Sequence, residues 1–147
     1  PRDAVYDRDV TKFSLDEMVG SLSRISVLGI IEKITLFMDV TYVNPEESSG
    51  LLWDYPDLPE KISILSSNSN GETSQLFNDK KHSFFTYSLL KGLSGNADDG
   101  DNIIDLGEVT EYVYKSVPEN IRNQPGSLRQ NPKFNGLDLK RVLLDLR

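Results

Sequence analysis

The sequence predicts a layered α/β sandwich with a mostly parallel sheet, and three observations lead there. Two short, nearly unbroken apolar runs, "KITLFMDV" at 33–40 and "KISILSS" at 61–67, read as strands covered on both faces, as strands of a parallel sheet are. Amphipathic helical patterns are interleaved with these runs, the arrangement that builds helices around a sheet. The first run also ends on polar residues, "DVTYVN", and ligands of open α/β sheets bind beyond the carboxyl ends of the strands.

In chain order, the first helix is expected over 14–25. Ser14 and Glu17 have capping-box spacing, Phe13 can staple onto Met18, and Leu15, Met18, Val19 and Leu22 share one face. Gly29 breaks the pattern before the strand at 33–40. The proline-rich, acidic stretch "NPEESSGLLWDYPDLPE" reads as a loop, followed by the strand at 61–67 and the turn-rich "SNSNGETSQ". A second helix is expected over 83–93, with Phe85, Leu89 and Leu93 on one stripe and Gly92 and Gly95 at its end. A third should span 106–117, capped by Asp105 and Glu108 and stopped by Pro118. Residues 119–136 read as loop, and "KRVLLDL" at 140–146 as a closing strand.

The 147 residues suit one domain with a real core. No apolar run approaches the roughly 18 residues that span a bilayer, so a soluble protein is expected, the cytoplasm being the favoured compartment. A net charge of −7 without a long basic block argues against nucleic acid as partner. The chain has no cysteine, which excludes disulfides, cysteine metal sites and thiol catalysis. It opens on Pro1 rather than Met, and further residues upstream are expected.

Several segments in the same order resemble the caspase-like cysteine peptidases, above all their bacterial and metacaspase-like branch. "HSFFTYSLLKGLSGNADDGDNIIDLGEVTEYV" resembles that branch's His-Gly-hydrophobic-Phe-Thr segment, Leu-Leu-x-Gly-Leu helix, Ala-Asp loop and Ile-x-Leu-x-Glu helix start. "QNPKFNG" is similar to its Gln-x-Pro turn, "ISILSSNSNGETSQ" to its Ser-rich strand end, and "VYDRD…FSLDEM" to the segment ahead of its nucleophile strand. The resemblance implies a three-layer α/β/α sandwich. This chain, 1–147, would be the C-terminal portion of a single such domain and hold its later strands only.

In that family the nucleophile strand ends Asp-x-Cys. The matching residues are Asp39, Val40 and Thr41, so Thr41 stands in the nucleophile's place. The departure is large, because a threonine hydroxyl needs a positioned base where a thiol is already partly ionised. The family's catalytic His and its neighbouring Gly come from a strand upstream of Pro1. The only histidine here, His82, matches a helix-entry position and is expected to be structural.

Two readings of Asp39 stay open: a carboxylate lining a pocket for Arg or Lys, as the resemblance implies, or a cap on local backbone N–H groups. Ser66 and Ser67 are candidate borders of the same cleft, or simple turn formers. Trp53 and Tyr55 are candidate peptide contacts, with core cover preferred. In "ADDGDNIIDLGE", Asp99, Asp101 and Glu108 fall at calcium-loop positions three, five and twelve. Ala97 then holds the first ligand position and Asn102 replaces the turn glycine. A solvated acidic loop is therefore expected, and no cofactor.

Two functions follow from the resemblance, and a third, with the resemblance set aside, is an α/β module that binds a small anion or metal. The first is an inactive pseudopeptidase that binds or regulates a protein or basic peptide. The alternative is an active hydrolase cleaving after Arg or Lys, with its nucleophile altered at Thr41 or its catalytic parts elsewhere. The expected partners are a protein or basic peptide, and the missing N-terminal part of its own domain or a second copy along an exposed sheet edge.

Overall fold

The computed structural model describes residues 15–29, 31–40, 58–69, 72–122, 124, 126 and 129–147. Thr41, Trp53 and Tyr55, and the proposed cap and staple at Ser14 and Phe13, lie outside the described residues.

The chain mixes helices and strands, as the patterning predicts. Helix α1 (Leu15–Val27) leads into strands β1 (Ile34–Met38) and β2 (Ile62–Ser66). The two strands run parallel in the register Ile34↔Ile62 through Met38↔Ser66. Val19 is buried on Ile62 and Ile64, with Leu22, Ile34, Leu36 and Met38 packed around them. The apolar face of α1 thus meets one face of the strand pair. Gly29, at φ +72°, turns the chain beyond the helix in a conformation that glycine adopts without strain.

A short hairpin follows, of β3 (Leu76–Phe77) and β4 (His82–Ser83), and then α2 (Phe84–Lys91). One wide helical turn, Gly92–Asn96, extends α2 to Gly95, whose φ of +103° ends it where the glycine spacing predicts. Strand β5 (Ile103–Asp105) leads directly into α3 (Leu106–Arg122). Asp105 and Glu108 close the expected capping box. The Asp105 N–H reaches Glu108 Oε2 at 2.8 Å, and the Glu108 N–H reaches Asp105 Oδ1 at 2.9 Å.

Leu106, Val109, Val113, Val117 and Ile121 form the buried stripe of α3, which packs with Phe84, Phe85, Leu89 and Ile104 against Leu65 of β2. Fully burying each such side chain contributes about 1.5–3 kcal/mol. Alternation along β2 therefore sends Ile62 and Ile64 to α1, and Leu65 to α2 and α3. All five β2 residues are buried. Strand β1 is half-buried, and Phe37 on it is exposed, so cover on both faces holds for β2 and not for β1.

Several features differ from expectation. The short strands β3, β4 and β5 form where no strand is expected, and of the four described pairings only β1–β2 is parallel, so the described strands are not mostly parallel. Pro118 does not stop α3, which continues to Arg122. Proline forfeits one backbone hydrogen bond to the preceding turn, but Val117 and Ile121 are buried on either side of it and hold the helix in place. The stretch read as loop also contains β6 (Lys133–Asn135), antiparallel to β2 with Leu65 opposite Phe134. Gly136 follows because a Cβ there would lie 2.5 Å from Ser63 Oγ. The sheet order is β1-β2-β6, with one parallel and one antiparallel pairing. The closing strand β7 (Val142–Asp145) pairs antiparallel with β5 in a separate two-stranded ribbon. No described helix is long and apolar enough to cross a membrane.

Candidate functional site

Because β1 and β2 are parallel, their carboxyl ends lie side by side. Asp39 and Val40 follow one strand; Ser67 and Asn68 follow the other. The Ser67 N–H continues the ladder to the Met38 carbonyl at 2.8 Å. Beyond that point side chains replace backbone. Ser67 Oγ accepts the Val40 N–H at 3.1 Å and donates to Asn68 Oδ1 at 2.7 Å.

Asp39 is exposed and accepts three hydroxyl groups. Ser74 donates to Oδ1 at 2.6 Å; Thr86 donates to Oδ2 at 2.6 Å, and Ser83 donates to the same oxygen. Ser83 is also the N-cap of α2, its Oγ accepting the Thr86 N–H at 2.9 Å. The carboxylate therefore sits off a helix N-terminus, where a negative charge is favoured by about 0.3–1 kcal/mol. Among the described residues, the groups bonded to the Asp39 carboxylate are hydroxyls. Capping of α2 falls to Ser83 instead.

Ser66 and Ser67 are fully buried. Ser66 donates to the Lys133 carbonyl at 3.0 Å, so both serines tie the strand ends together and present no exposed hydroxyl to a cleft. The buried Gln130 supports them. Its Nε2 donates to the Ser67 carbonyl at 2.9 Å, and its Oε1 accepts the Gln75 N–H at 2.9 Å. Glu72 accepts the Asn131 N–H at 2.6 Å and the Ser69 N–H at 3.2 Å. Together Gln130 and Glu72 hold the segment that carries Ser74 over Asp39.

Sequence reasoning did not find Ser74, Ser83, Thr86 or Gln130. A local signal existed for two of them, since Ser83 and Thr86 stand three apart at a helix start. Nothing local links Ser74 or Gln130 to Asp39. His82 is exposed on β4 opposite Phe77, one residue before the Ser83 that contacts Asp39.

The acidic loop lies elsewhere, between α2 and α3. Carboxylate oxygens of Asp98, Asp99 and Asp101 come within 4.8 Å of one another. Glu108, the expected twelfth ligand, instead accepts the Asp99 N–H at 2.9 Å and the Asp105 N–H at 2.8 Å. The three residues brought together are thus Asp98, Asp99 and Asp101, without Glu108. Asn102, in place of the turn glycine, adopts φ +64°. Lys140 lies 3.1 Å from Asp105, whose carboxylate holds the lysine ammonium above its ordinary range.

No protein-family model, curated protein or solved structure matches this chain.

Proposed function

We propose that the chain is a binding domain that recognises a basic side chain at Asp39, at the carboxyl ends of two parallel strands. More particularly, we infer a caspase-like domain that has lost peptidase chemistry and serves as a protein- or peptide-binding module. One observation carries the reading. Asp39 is an exposed carboxylate held by three hydroxyl donors, with acceptor capacity remaining.

Several features support the finer reading. Helix α1 packs on Ile62 and Ile64, while α2 and α3 pack around Leu65, as a three-layer α/β/α sandwich requires. The β1–β2 pair is parallel, as such a sheet needs, whereas β6 joins β2 antiparallel. Thr41, two residues beyond Asp39 in the chain, stands where the peptidases it resembles carry cysteine, and a threonine hydroxyl needs a positioned base to act as a nucleophile. Among the described residues β1 pairs with β2 alone. Its other edge is where we place further strands of the same domain, or a second copy.

The test is a titration with a short blocked peptide ending in lysine or arginine amide, followed by chemical-shift changes at Ser74 and Thr86. The wild-type chain should bind and Asp39→Asn should not. Equal binding by both proteins would remove Asp39 from the site.

A further inference from the structure

A cavity of about 670 Å³ opens along the N-terminal half of α3, and none of its described walls belongs to the Asp39 site. That volume suits a small-molecule site, for which about 300–1,000 Å³ is usual. Two observations mark it. The first is charge. Asp99, Asp105, Glu108 and Glu111 line the cavity with Lys115 and Lys140, and four carboxylates to two ammoniums leave it net negative. Asp98 and Asp101 stand beside Asp99 and add to the field. Lys140 registers that field: its ammonium is held above the ordinary range by Asp105 first, then by Glu108 and Asp99.

The second observation is independent of charge. Thr110 lies on the α3 wall of the same cavity and is 6% exposed. Among the described residues, its hydroxyl is the buried side-chain polar group without a hydrogen-bond partner. An unpaired buried hydroxyl costs the fold its desolvation, and a ligand that pairs with it recovers that cost on binding. The cavity therefore combines a buried neutral hydrogen-bonding group at Thr110, exposed carboxylates at Asp99 and Glu111, and apolar surface from Ala97, Tyr112 and Leu139.

We propose that this cavity binds a small aromatic amine with a hydroxyl at its far end: the ligand's hydroxyl pairs with Thr110, its ring lies on Tyr112 and Leu139, and its ammonium stays among the exposed carboxylates. An ammonium at the rim keeps part of its hydration while it sits in an acidic field. Placed at Thr110 it would lose that water beside a neutral hydroxyl, which is costly for a charge. A bare metal ion would use the carboxylates and leave both the Thr110 hydroxyl and the apolar wall without a partner.

The probe is tyramine, compared by NMR titration with phenethylamine, which lacks the hydroxyl, and with 4-hydroxyphenylacetate, which reverses the charge. The wild type should bind tyramine about three- to tenfold more tightly than phenethylamine, the gain from one neutral hydrogen bond, and should not bind the acid. Asp99→Asn should weaken both amines alike and keep their ratio. Thr110→Val should bring the two amines to equal affinity, and Thr110→Ser should keep the wild-type ratio. Thermal unfolding of the ligand-free proteins gives a second readout. Thr110→Val should melt at or above the wild type, because it removes an unpaired buried hydroxyl. A lower midpoint would show that the hydroxyl is paired within the fold, and would overturn the inference. So would no binding of tyramine, equal binding of the acid, amine binding untouched by Asp99→Asn, or a tyramine preference that survives Thr110→Val.

Discussion

The Ser83 hydroxyl joins two elements at once: it accepts the Thr86 N–H at 2.9 Å as the cap of α2 and donates to Asp39 beyond the end of β1. The carboxylate is thereby oriented by the same atom that starts the helix. Local helix chemistry and the long-range site share one side chain.

Replacing that side chain should therefore have two effects. Ser83→Ala should lower stability by about 0.5–2 kcal/mol, the usual range for losing an N-cap, read as a shift of the urea midpoint at constant slope. It should also weaken binding of a basic peptide. Asp39→Asn should lose that binding without a comparable loss of the cap. An unchanged midpoint in Ser83→Ala would mean that the hydroxyl does not cap α2 in solution.

The acidic loop supports α3 through its cap. Both Glu108 oxygens are engaged by backbone N–H groups, and Asp105 returns a bond to the Glu108 N–H. Asp105→Ala should cost about 0.5–2 kcal/mol. The thermal midpoint in millimolar calcium should equal that in chelator, because Glu108 is engaged by backbone N–H groups and is not among the carboxylates that the loop brings together. A calcium-dependent rise of several degrees would show that the loop rearranges into a binding site.

Alkaline pH should weaken the fold. Partial desolvation pushes the Tyr114 phenol above its ordinary range, outweighing the Phe134 N–H that it accepts at 2.7 Å and the nearby Lys133 charge. The Lys140 ammonium, held by Asp105, is raised as well. A raised value means that the folded chain binds the proton more tightly than the unfolded one. The resulting stability is fully present below the unfolded values and is lost as pH climbs beyond about 10. Denaturant midpoints collected across that range should fall, and Tyr114→Phe should flatten the fall. An identical slope in the variant would exclude the phenol as a contributor.

Much of the fold is legible in the residues. The Asp105–Glu108 spacing identifies the start of α3 directly, because a capping box writes a helix N-terminus at a fixed interval. Gly95 marks the end of the second helical segment for a comparable reason, since its backbone lies where side chains are strained. Pro118 misleads because a local rule meets a tertiary one: buried neighbours hold the helix through the proline. Strand β6 escapes notice because three residues ahead of Gly136 carry almost no periodicity. Of the site, Asp39 stands out as a charge closing an apolar run. Ser74 and Gln130 do not, because their contacts join segments 35 and 63 residues apart.

The central claim is that a site for basic side chains persists here without peptide cleavage. The most direct measurement is hydrolysis of fluorogenic peptides ending in arginine or lysine, by the wild type and by Thr41→Ala. The account predicts no turnover from either protein. Turnover by the wild type that disappears in Thr41→Ala would contradict it and make Thr41 a working nucleophile.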